Sequence, residues 1–217
     1  ESAADSEDME RIVTLGSRVN GRTATESASP VDIISGEQLV STGASELGKA
    51  LQMSAPSFNF STTTISDGSD IIRPATLRGL GPDQVLVLVN GKRRHQQALV
   101  NVQETIGKGS AGYDINAIPI SAVARVEILR DGAAAQYGSD AIAGVINITL
   151  KSGDGGSLSA EVGQTYEGDG ENNQVGFNIG TSSSSGFVNL TLEYRDRGMT
   201  NRASPATLEA TGGQLIG

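Results

Sequence analysis

The chain has 217 residues, a net charge of −9 at pH 7, 37% apolar side chains, one histidine and no cysteine. The acidic balance excludes a nucleic-acid partner, which needs a basic face, and the absence of cysteine excludes disulfides and thiolate metal sites. No apolar run approaches the roughly 18 residues of a membrane-spanning helix, so any membrane role must use strands.

Residues 1–10 are acidic and poor in apolar side chains, without the apolar stretch of a signal peptide; they read as the disordered start of a mature or trimmed chain. Residues 11–18, RIVTLGSR, are short and β-prone, which suits an edge strand, a mobile tail or a segment that pairs with a partner. Residues 31–34 predict a strand ended by Ser35-Gly36. Ser45 is placed to cap a helix whose face is Leu47, Ala50, Leu51 and Met53 and which stops before Pro56. Residues 62–70 form a Thr, Ser, Gly and Asp loop. Residues 75–80 and 84–89 read as strands separated by Gly81-Pro82, the second apolar enough to be buried on both faces, with Asn90-Gly91 as a hairpin turn. The polar stretch 92–112 is a loop of the length usually reserved for function or motion.

Residues 121–151, SAVARVEILRDGAAAQYGSDAIAGVINITLK, form the organising unit. Ala124, Val126 and Ile128 alternate with Arg125, Glu127 and Leu129; one helical turn follows at residues 133–137, and a β-branched strand at residues 145–150. Beyond Lys151 the alternation coarsens. Leu158, Ala160, Val162 and Tyr166, then Val175, Phe177 and Ile179, then Val188, Leu190, Leu192 and Tyr194 each occupy one face of a strand, opposite residues such as Glu161, Thr191, Glu193 and Arg195. Strands of about ten residues with this pattern suit a transmembrane β-barrel, although a one-sided antiparallel sheet alternates too.

Enzyme chemistry finds little support. His95 lies in a polar loop, no G-x-S-x-G or P-loop run is present, and Gly79-Leu80-Gly81 is too short for a dinucleotide fingerprint. The acidic clusters at residues 67–70 and 169–173 lack the spacing of a calcium loop. No catalytic residue, metal site or cofactor is expected.

Four runs, SPVDIISGEQL, ELGKALQMSAPSFNF, IIRPATLRGLGPDQVLVLVNGKRR and ARVEILRDGAAAQYGSDAIAGVINITLK, occur in this order between residues 10 and 151. Together they resemble the plug domain of TonB-dependent outer-membrane receptors. The resemblance implies an α+β fold, a mixed-sheet plug with short helices followed by a few antiparallel barrel-type strands. Residues 1–29 would be a tail and linker, 30–151 the plug, and 152–217 the first strands of a barrel of roughly 22 strands, which three strands cannot close. It implies gating of active import across the outer membrane, with the N-terminus periplasmic; a soluble periplasmic or secreted binding module is the alternative. Ile12, Val13, Thr14 and Leu15 would be the segment added as a strand to the TonB C-terminal domain. Arg78 and Arg125, with Glu127 and Arg130, would latch the plug to the barrel wall, against the plainer reading of solvent-facing charges; without the rest of the wall they should pair inside the plug or with solvent. Arg93, Arg94, His95, Gln96 and Gln97 would meet a small-molecule, oligosaccharide, siderophore or peptide ligand, or simply face water. Unpaired barrel strands would also allow strand exchange between copies. Asn90-Gly91, where Asp-Gly is usual, and Asp131-Gly132-Ala133, where Gly-Pro often follows the arginine, set the chain in a subgroup.

Overall fold

The computed structural model describes residue 15 and residues 30–61, 72–102 and 106–200. A mixed sheet forms the centre of the region expected to be the plug. Its strands are β1 (Val31–Ser35), β4 (Val85–Val89), β5 (Lys92–Arg93), β6 (Val123–Leu129) and β7 (Gly144–Leu150), in the order β1-β6-β7-β4-β5. β7 runs antiparallel to β6 and parallel to β4. Both neighbours and both faces of β7 are covered, and Val145, Ile146 and Ile148 are wholly buried. β4, buried from Val85 to Leu88, has the unbroken apolar run of a strand with no solvent side on which to alternate; β7 interrupts its own run with buried Asn147, whose Oδ1 accepts from Gly91 N at 3.0 Å. Gly144 opens β7 at φ 142, and a Cβ there would lie 2.3 Å from the Leu129 carbonyl oxygen, so the close approach of β6 requires glycine.

Two short helices pack beside this sheet. α1 (Gly36–Ser41) is not marked by periodicity; it begins with a reciprocal capping box, in which Gln38 N donates to Ser35 Oγ at 3.1 Å and Ser35 N to Gln38 Oε1 at 2.9 Å. α2 (Leu47–Ser54) buries Leu47, Gly48, Ala50 and Leu51 as its spacing predicts, while Met53 is exposed. Its N-cap is Glu46 rather than Ser45 and gives no side-chain cap; Asn116 Oδ1 instead accepts from Gly48 N at 3.0 Å, a cap supplied from 68 residues away.

The hairpin of β2 (Phe58–Phe60) and β3 (Ala75–Leu77) corrects the expected strand over residues 75–80. Arg78 and Gly79 both adopt left-handed backbone, at φ 55 and 73, and Leu80 N returns to Leu77 O at 3.1 Å. This is a two-residue turn of the primed type, and it points Arg78 into solvent. Asn90-Gly91 forms the same kind of turn, at φ 49 and 74. After a 3₁₀ turn at Ser139–Ala141, which follows α3 (Ala134–Tyr137), the chain enters β7 as the organising unit predicts.

The last three strands form a separate meander: β8 (Gly155–Gly163), β9 (Asn172–Ser183) and β10 (Gly186–Arg197), in the order β10-β9-β8. β9 and β10 are longer than their alternation alone marks, and the joint between them is only residues 184–185; Tyr166 falls in the β8–β9 connection. The apolar faces align across the sheet, Leu158 beside Phe177 beside Leu192 and Ala160 beside Val175 beside Tyr194.

Candidate functional site

Two regions carry chemistry beyond packing: the seam between plug and meander, and the loop after β5. At the seam, β9 comes so close to the 3₁₀ turn Ile120–Ala122 that a Cβ on Gly176 would lie 3.3 Å from the Ser121 Cβ. The face of the meander toward the plug is polar. Ser121 Oγ donates to Glu193 Oε2 at 3.5 Å, and buried Asn178 donates from Nδ2 to Asn189 Oδ1 and Thr191 Oγ1, each at 2.7 Å. The opposite face is apolar and bare, from 37% exposure at Phe177 to 82% at Val162.

Glu46 is the ionic centre of the seam. It pairs with Arg73 of the plug and lies 3.9 Å from Arg195 and 4.0 Å from Arg197, both on β10, while Arg195 Nη1 donates to the Ser45 carbonyl at 3.0 Å. Residues 30–151 supply the carboxylate here and the meander the cations. A cleft of about 640 Å³ beside Glu46 is lined by Lys49, Arg73, Glu161, Asn172 and Arg197, so the seam is polar and roomy enough for water. None of these partners is marked by motif; only the polar face of β10, with Glu193 and Arg195, is visible from alternation.

The arginines expected to form the latch are placed differently from one another. Arg125 Nε meets Glu127 Oε1 at 2.9 Å, and the Glu127 side chain is fully buried. Arg130 grips Asp32 of β1 with two contacts, at 2.7 and 2.8 Å. Arg78 stands exposed on its turn.

In the loop, Arg93 does not project freely. Its guanidinium bonds Asp140 Oδ2 at 2.8 Å and the Tyr137 carbonyl, tying the loop's base to the β6–β7 connection. Burial pushes the nearby Tyr113 phenol above its ordinary range and Asp140 adds to this, while Arg93 draws it back. Arg94 is half-buried, and His95 and Gln96 are exposed. Gln97 is buried and donates its backbone N–H to Gly112 O at 2.9 Å. Of the expected TonB-coupling segment, Ile12, Val13 and Thr14 lie outside the described residues, as do residues 62–70. Leu15 is described; it is 2% exposed and part of the apolar core.

Residues 23–145 match the family of the TonB-dependent Receptor Plug Domain. The probable TonB-dependent siderophore receptor PirA of Acinetobacter baumannii is 34% identical over 139 residues, 60% of this chain and 17% of that protein. The vitamin B12 transporter BtuB of Vibrio cholerae is 30% identical over 197 residues, 85% of this chain and 30% of that protein. Among solved structures, a ferric enterobactin receptor mutant (PfeA) from Pseudomonas aeruginosa in complex with enterobactin superposes with TM-score 0.61 at 26% identity, covering 77% of this chain and 24% of that one. The relatives are receptors and transporters rather than enzymes, and the chain spans less than a third of their length. With the match to residues 23–145 extending over more than half of the sequence, the chain belongs to the family of TonB-dependent receptor plug domains.

Proposed function

We propose that this chain is the gate of a TonB-dependent active transporter that imports a nutrient ligand across the outer membrane. Residues 30–151 stopper the lumen and β8–β10 begin the barrel around it. The observation that carries this reading is the inverted burial of the meander, polar toward the plug and apolar toward the outside. Burying a Leu, Val or Phe side chain is worth about 1.5–3 kcal/mol. A soluble module would leave that gain unrealised at every outward position from Leu158 to Tyr194, whereas a bilayer realises it. The relatives named for siderophores and vitamin B12 support an import role.

In the loop over residues 92–112, Gly107 and Gly112 lie against Pro82, at the end of the sheet away from the exit to β8, and the loop would meet the ligand from outside. Residues 12–15 would join TonB as an added strand on the periplasmic side, which requires Leu15 to leave the core. In the isolated chain, the outer edges of β8 and β10 would pair with other copies. Deleting residues 30–151 from the whole receptor tests the gate. Cells carrying the plugless barrel are expected to become sensitive to a hydrophilic antibiotic too large for ordinary porins, and unchanged resistance would contradict the gating role.

A further inference from the structure

Within the loop, residues 96–102 are inside out. Gln97 is 9% exposed and Asn101 2%, with Leu99 half-buried between them, while Ala98, Val100 and Val102 face outward, the two valines at 46% and 59%. An extended segment on a protein surface normally alternates the other way. The inward amides gain little from their burial. Among the described residues, neither Nδ2 nor Oδ1 of Asn101 has a hydrogen-bond partner, nor has Oε1 of Gln97, whose Nε2 donates to the Leu99 carbonyl at 3.4 Å. Each such orphan has given up water without a replacement bond, which disfavours the form seen.

The outward valines cover no apolar surface of their own loop, and both stand exposed. Three backbone bonds hold the segment to the other limb of its loop: Gln97 N donates to Gly112 O at 2.9 Å, Asn101 N to Ser110 O at 3.0 Å and Gly109 N to Asn101 O at 2.6 Å. A slip of one residue would send the valines in and the amides out.

We propose that Gln97 and Asn101 are the ligand-recognising side chains of this loop, stored inward in the form seen and delivered outward by a one-residue slip of residues 96–102, and that they take a neutral hydroxyl, amide or carbonyl group. The inference rests on the ligand-loop reading given above. Carboxamides both donate and accept, which suits a neutral partner, and the charge of Arg93 is already engaged by Asp140. The orphaned amides keep the stored form from being overly stable, so a ligand needs to supply only a modest difference in affinity to select the other.

Single cysteines introduced into a cysteine-free background of the full-length receptor test the slip without any ligand. Asn101→Cys is expected to react with a small water-soluble maleimide on the order of tenfold faster than Val126→Cys, a fully buried control on β6, because the segment opens locally. Asn101→Leu, which removes the orphaned amide, is expected to hold or raise the unfolding midpoint and to slow labelling of Gln97→Cys. Labelling of Asn101→Cys no faster than the control, or a lowered midpoint for Asn101→Leu, would overturn the proposal. Loss of ligand binding on deleting residues 96–102 reads the ligand-loop assignment separately, so the two can fail independently.

Discussion

The plug sheet and the meander use the same residue types, and only the first buries them. In β6 and β7, Val126, Ile128, Ile146 and Ile148 are fully buried by the rest of the plug. In β9 and β10, Ile179, Leu190, Leu192 and Tyr194 are about half exposed or more, while Asn178 on the opposite face is buried. The first sheet makes its own core; the second leaves its apolar face bare, and under the proposed function a bilayer covers it. Alternation therefore reports which face differs, but not which face is inside; that depends on what covers the sheet.

The largest expected effects come from exchanging these environments. Ile146→Ala, in the centre of the plug sheet, should lower the stability of the chain by about 2–5 kcal/mol, read by denaturant unfolding. Leu192→Arg should leave that unfolding nearly unchanged in water and reduce self-association, yet cost the full receptor about 2–4 kcal/mol in a bilayer if residue 192 lies near the midplane. Equal destabilisation of the soluble chain by both changes would erase the distinction between the two sheets.

The contact between the two regions should yield less. Glu46→Gln removes the carboxylate shared by Arg73, Arg195 and Arg197 and should loosen the meander from the plug by about 1–3 kcal/mol. Faster hydrogen exchange in residues 186–197, with β6 and β7 unchanged, would register it, whereas unchanged exchange would show that the seam holds without this charge. The smallest effect is confined to the plug. Ser35→Ala should cost about 0.5–2 kcal/mol through the lost cap of α1, and should leave protection of β8–β10 untouched.

Much of the fold was legible because local pattern and final environment agree. Residues 121–151 show strand, turn and strand, and the buried run of β4 has no polar alternation to mislead. The shared face of Leu158, Phe177 and Leu192 follows from period-two alternation; their register across the sheet was not legible. α1 was signalled only by Ser35 and Gln38, since a six-residue helix is too short to display periodicity. Arg78 was read as part of a strand because left-handed backbone is rare for arginine and its side chain carries no mark of it. The seam was illegible for a different reason: Glu46 and Arg195 meet across 149 positions of sequence, and no local rule connects them. Gln97 was named with its loop, but its inward placement and that of Asn101 were hidden by the rule itself, since polar residues in a loop are expected to face water.

Site-by-site quenching along β10 gives the most direct measurement. In the full receptor reconstituted in lipid vesicles, a small fluorophore is attached at each position from 188 to 194 and exposed to a lipid-borne quencher. Positions 188, 190, 192 and 194 should be quenched, and 189, 191 and 193 should not. Uniform quenching, or quenching at the odd positions, would contradict a wall that faces lipid on one side and its plug on the other.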